Sequence, residues 1–186
     1  LFKYLPQYDA VFPRIAKEVP DCQFVFIEYP RGQHVTGQFR ERLDGVFSEY
    51  GLKAADHCVI LPRLNPDRFI AAVGPCDIVL DSIGWSGFNS TLEGLTHSLP
   101  IVTMKGPLMR GRHSAAVLTM MGVTDTITET VDDYIKITVR LANDASFRAD
   151  VKRRIAENKH HIYRDRSCIA ALEDFLDHAA GGSMPQ

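Results

Sequence analysis

Cysteine is scarce in this chain: four residues in 186, at Cys22, Cys58, Cys76 and Cys168, with no C-x-x-C spacing. That excludes a disulfide framework and a cysteine-rich metal site, and it points to free thiols in a reducing compartment. A basic excess is lacking too. The 21 Lys and Arg against 23 Asp and Glu give a net charge of -2, which argues against a protein that works by wrapping nucleic acid. No apolar run approaches the roughly 20 residues needed to cross a bilayer, and no segment has the layout of a signal peptide. The expectation is a cytoplasmic protein with no membrane or nucleic-acid partner, an upstream targeting segment aside, because the first residue is Leu rather than Met. Two nucleotide signatures are also missing. No G-x-G-x-x-G string occurs, and Gly106 to Gly111 has Walker A glycine spacing but is followed by Arg112-His113 where Lys and Ser or Thr are required. Pro107 also removes one N–H that such a cradle would use.

What is present is an ordinary globular composition, 45% hydrophobic and 24% charged, with enough length to bury a core. Short apolar runs at about 23–28, 57–61, 77–81 and 100–103 read as strands, with a last short strand at 124–127. Between them, apolar positions recur at helical spacing: Tyr8 to Val19, Phe39 to Tyr50, Asp67 to Val73, and Met109 to Met121. From Val131 onward the pattern is helical throughout. This alternation predicts an α/β fold: a Rossmann-like parallel sheet with helices on both faces. A strand should precede the first helix, and none is found before Lys3, so the first strand reads as missing and the chain as a fragment. Residues 1–180 form the expected lobe and its C-terminal helices, and 181–186 a flexible tail.

The chain is organised around the stretch from Asp77 to Thr103. An apolar run stops at Asp81, a loop carries Gly84 and Gly87, and Asn89-Ser90-Thr91 opens a helix with Glu93 one turn in. Free backbone N–H groups and the positive end of the helix dipole would meet there, which suits an anion. Plain helix capping accounts for the same residues, because Asn or Ser followed three positions later by Glu is a common helix start. The residues alone leave both open.

Several runs together resemble a known family. These are Leu61-Pro62-Arg63-Leu64, Phe69-Ile70-Ala71-Ala72, Cys76 to Asp81, Gly87 to Leu95, Leu99 to Thr103, Gly106, and Arg110-Gly111-Arg112. In this order they resemble the C-terminal catalytic lobe of the O-linked N-acetylglucosamine transferases, including the plant SPINDLY-type proteins and bacterial homologues with tetratricopeptide repeats. The resemblance implies the second Rossmann-like lobe of a GT-B glycosyltransferase. It implies Lys3 as the cation that stabilises the leaving diphosphate. It also implies donor contacts from Asn89, Ser90 and Thr91 to the diphosphate, from Glu93 to the ribose, and from Phe69 to the uracil. Phe88 stands where animal relatives have histidine, so that imidazole is absent. Arg110 and Arg112, with His113, are candidates to approach the phosphates or the other lobe, and a solvated basic turn explains them equally well. Trp85 reads as facing the sugar or acceptor cleft, or as packing.

The function so implied is the UDP-sugar-binding lobe of an inverting protein O-glycosyltransferase, moving N-acetylglucosamine from UDP to Ser or Thr hydroxyls. No cofactor beyond the donor and no metal is expected, since the chain has no Asp-x-Asp motif. The protein acceptor would be engaged through an N-terminal lobe and repeats outside this chain, and the fragment alone is expected to be inactive. A degenerate, non-catalytic binding module is the competing expectation, motivated by Phe88 and by the start of the chain.

Overall fold

Val11, Phe12, Ile15 and Ala16 line one face of α1 (Val11–Glu18), and all four are buried, as the spacing of an amphipathic helix requires. The structure, a computed structural model, describes residues 1–29 and 32–181. The tail positions from Gly182 to Gln186 lie outside the described residues.

A short 3-10 turn, Pro6–Tyr8, precedes α1. The chain then alternates as expected: β1 (Phe24–Ile27), α2 (Gln33–Glu49), α3 (Ala54–His57), β2 (Cys58–Leu61), α4 (Pro66–Val73), β3 (Val79–Leu80), α5 (Asn89–Thr96) and β4 (Ile101–Met104). After a 3-10 turn at Met109–Gly111 come α6 (His113–Met120), β5 (Ile127–Thr128), α7 (Val131–Asn143), α8 (Ala145–Asn158) and α9 (Ser167–Ala180). Local chemistry explains several boundaries. Asn65 accepts from the N–H of Arg68 at 2.9 Å with Pro66 in the first turn of α4, Thr130 accepts from Asp133 at 3.1 Å, and Asp144 accepts from Phe147 at 2.9 Å, each capping its helix.

All strand pairs are parallel, and helices flank them, so the α/β fold read from the sequence is the fold observed. The sheet is in two pieces rather than one. β1 pairs β2, with Phe24 opposite Cys58, while β3, β4 and β5 form a separate ladder with Val79 opposite Ile101 and Thr103 opposite Ile127. A single apolar core still runs under both, from Phe12, Phe26 and Phe39 to Ile101, Leu118 and Leu141. α9 stands apart: Ile169, Leu172, Phe175 and Leu176 are all about half exposed on it. Among the described residues, no helix is long and apolar enough to cross a membrane.

Candidate functional site

Because β3 and β4 run parallel, the loops that follow them leave the sheet at the same edge, and α5 and α6 both begin there. The loop after β3 is shaped by Gly84, whose φ of +84° a side chain would strain and whose missing Cβ leaves room for Leu5. The loop after β4 is pinched shut. Gly106 N–H donates to the Gly111 carbonyl at 2.9 Å, and a Cβ on either glycine would come within 3.3 Å of the other's Cα. Gly106 to Gly111 is therefore closed on itself rather than open as a phosphate cradle. The two loops are joined where Ser86 N–H donates to the Arg110 carbonyl at 2.8 Å.

Beneath them lies a buried polar cluster. One carboxylate oxygen of Asp81 accepts from the Gly87 N–H at 2.7 Å, and the other accepts from the Ser86 hydroxyl at 2.6 Å and the Thr103 hydroxyl at 2.7 Å. Ser86 Oγ in turn accepts the N–H of Ser114 at 2.9 Å, in the first turn of α6, and Ser114 Oγ meets Thr91 Oγ1 of α5 at 2.8 Å. Tyr134 on α7 donates to the Asp81 carbonyl at 2.9 Å. Burial pushes the Tyr134 phenol well above its ordinary range, with the Asp81 charge adding to it. None of Asp81, Ser86, Thr103, Ser114 or Tyr134 stands out by spacing. The one available signal was an Asp closing one apolar strand and a Thr in the next.

Above the cluster, α5 presents Asn89 and Ser90 exposed at its N-terminus, with Glu93 partly exposed one turn on, at the spacing that puts them on one face. The first intrahelical bond is Leu92 N–H to the Phe88 carbonyl, so the N–H groups ahead of it are the unsatisfied ones of a helix start. Partial burial raises the Glu93 carboxyl above its usual range. Thr91 is different: it is 2% exposed, and its hydroxyl is engaged by Ser114 and by the Gly87 carbonyl. The structure thus separates Thr91, facing inward, from Asn89, Ser90 and Glu93, facing out.

The N-terminal segment is brought to the same edge. Phe2 meets Trp85 edge-to-face at 6.0 Å, and Leu5 fills the space at Gly84, so Lys3 lies between two contacts with the glycine loop. Arg110 stacks its guanidinium over Trp85 at 5.8 Å, whereas Arg112 donates to the Gly106 carbonyl at 2.6 Å and so braces its own loop. Phe88, half exposed, meets His113 at 5.9 Å. Phe69 is partly buried on α4, which is tied to α5 by His97 Nε2 and the Ile70 carbonyl at 2.8 Å. Asp132, in the first turn of α7, pairs with Arg14 of α1 at 2.6 Å. Among the described residues, no group of three or more His, Cys, Asp or Glu is placed to hold a metal ion.

The lobe is of the parallel α/β class, and it gathers two helix starts, Lys3 and the Glu93 carboxylate at the edge outside the strand ends, where open α/β sheets carry their sites. The family follows from comparison: the chain belongs to Glycosyl transferase family 41, whose model matches residues 1–166. It is 28% identical over 159 residues to the "Probable UDP-N-acetylglucosamine--peptide N-acetylglucosaminyltransferase SPINDLY" of Hordeum vulgare, covering 84% of this chain and 16% of that protein. A similar likeness, 28% over 148 residues, covers 78% of this chain and 16% of the Arabidopsis thaliana protein of the same name. Among solved structures, a mutant of the O-GlcNAc transferase of Thermobaculum terrenum shares the fold with a TM-score of 0.79 at 22% identity, over 92% of this chain and 33% of that one. The chain thus spans a minor part of each relative's length.

Proposed function

We propose that this chain is the UDP-sugar-binding lobe of an inverting protein O-glycosyltransferase that moves N-acetylglucosamine from UDP to Ser or Thr hydroxyls. The observation that carries the reading is the open face of α5, where Asn89, Ser90 and Glu93 surround unsatisfied N–H groups beside the loop that Lys3 adjoins. Family membership and the names of the relatives supply the donor and acceptor class.

The chemistry assigned to this lobe is electrostatic. As the bond between the anomeric carbon and the phosphate oxygen breaks, negative charge collects on the diphosphate. The Lys3 ammonium and the positive end of α5 lower the energy of that charge. Asn89 and Ser90 hold phosphate oxygens, Glu93 accepts from ribose hydroxyls, and Phe69 packs against the base. Arg110, presented over Trp85, is the second cation of the site, and Arg112 supports the loop that carries it. Thr91 contributes from below, through Ser114. Acceptor binding falls to parts of the whole protein beyond this chain, so these 186 residues alone bind UDP without turnover.

Calorimetry with UDP tests this directly. The wild-type chain binds, and an Asn89→Ala, Glu93→Ala double variant binds at least about tenfold more weakly, as expected for loss of hydrogen bonds to charged groups. A folded wild-type protein with no detectable affinity for UDP overturns the reading in favour of a binding module with another ligand. Turnover of UDP-N-acetylglucosamine onto protein by this chain alone overturns the division of labour.

A further inference from the structure

We infer that Asp81 is a positioning residue of the donor site, setting the starts of α5 and α6 in a fixed relation to each other. The inference rests on the donor-site reading above for its functional consequence, but its structural content stands on the bonds themselves.

Asp81 is 7% exposed and makes no salt bridge among the described residues. A carboxylate so placed is normally costly, and what compensates it here is three donors. Those donors come from two different places. Thr103 belongs to β4, the rigid floor, while Ser86 and Gly87 belong to the loop that leads into α5. The Asp81 backbone is fixed as well, by its N–H to the Val102 carbonyl at 2.9 Å and by the Tyr134 hydroxyl on its own carbonyl. One side of the carboxylate is therefore anchored, and the other holds a loop.

The hold extends further through Ser86. With its proton directed to Asp81 at 2.6 Å, its oxygen is left to accept the Ser114 N–H, one of the first N–H groups of α6. Ser114 then reaches Thr91 on α5. A chain of short bonds thus runs from β4 through Asp81 to the loop and on to both helix starts. The side chains above it, Asn89 and Ser90 on α5 and Arg110 just ahead of α6, inherit that geometry. Only an acceptor at both oxygens serves all three donors. An amide at position 81 would turn its NH2 either toward Gly87 N–H, losing that bond, or toward the two hydroxyls, which could then only accept from it, so at least one of the three present bonds is lost.

The test compares Asp81→Asn, Ser86→Ala and their double variant with Ile155→Val, which trims a fully buried side chain on α8 that takes no part in these bonds. Two readouts are taken on each folded protein: amide hydrogen exchange at Gly87 and Ser114 without ligand, and UDP affinity. Positioning predicts at least about tenfold faster exchange at these two amides relative to those of β4 in each of the three site variants. It also predicts about tenfold weaker UDP binding in both single variants, with the double variant no worse than either, since both cut the same link. Ile155→Val, though destabilised, keeps wild-type exchange at those amides and wild-type affinity. Should Asp81→Asn fail to fold, Ser86→Ala alone carries the comparison. Unchanged exchange at Gly87 and Ser114 in Ser86→Ala overturns the inference, as does affinity that merely tracks melting temperature across all variants. If the wild type does not bind UDP, the donor reading falls while the exchange result still decides whether Asp81 holds the loop.

Discussion

Around β1 the interior is made of rings. Phe12, Phe24, Phe26, Phe39 and Tyr4 meet at centroid distances of 5.0 to 6.0 Å, mostly edge-to-face. At the ends of β3 and β4 it is made of hydroxyls and one carboxylate, joined by bonds of 2.6 to 3.0 Å. The two regions solve different problems. Ring packing stabilises without strict direction, so neighbours can shift by fractions of an ångström at modest cost. Hydrogen bonds to a buried carboxylate fix both distance and angle, and a broken one leaves a buried group unsatisfied. The half that carries stability is thus distinct from the half that carries geometry.

The sharpest way to break this division is Phe39→Ala. Phe39 is 1% exposed between Phe26 and Tyr4, and its truncation should cost about 3–5 kcal/mol, read by chemical denaturation. Where that variant remains folded, its UDP affinity should stay within about twofold of wild type; a larger loss would mean that the aromatic half also sets the site. Tyr134→Phe comes next. It removes the hydroxyl that caps the buried Asp81 carbonyl and should cost about 1–3 kcal/mol, with faster amide exchange at Gly87 as its distinguishing mark. Thr130→Ala, which strips the cap from the same helix at its exposed end, should cost about 1 kcal/mol and leave Gly87 exchange alone.

The smallest effect at neutral pH joins the two halves. Burial pushes the Tyr4 phenol up to about 12, and the Asp81 charge adds to the shift. Tyr134 is raised well above its ordinary range by the same two causes. A folded-state value above the unfolded one, about 10, means that the fold keeps the proton. The associated stability is fully present below pH 10 and is lost as the pH rises through the folded value. Absorbance titration should therefore show Tyr4 and Tyr134 still protonated near pH 11 in the folded protein and released there on unfolding. Loss of both protons by that pH without unfolding would show that the Asp81 region is open to water.

Much of this was legible in the residues. Strands and long helices follow from period, and the order of strand, loop and helix around Gly84 and Gly87 appears as expected. Thr91 could have been separated from Asn89 and Ser90 by helical spacing, since Gly94 and Leu95 mark the same buried face. α2 begins at Gln33, six residues before the apolar pattern at Phe39 announces it, because its first turns are mostly polar. The division of the sheet into two ladders was not legible, since strand pairing depends on spatial neighbours and not on period. Nor was the cluster: Ser86, Thr103, Ser114 and Tyr134 are unremarkable singly and acquire meaning only from one shared partner.

The bonds that build this site also set when it can form. Thr103 reaches Asp81 across 22 residues, Ser114 reaches Ser86 across 28, and Tyr134 reaches the Asp81 carbonyl across 53. Closing such loops costs chain entropy before any contact repays it. No local segment can therefore preform the site. Its geometry depends on the pairing of β3 with β4 and on the docking of α7 against them.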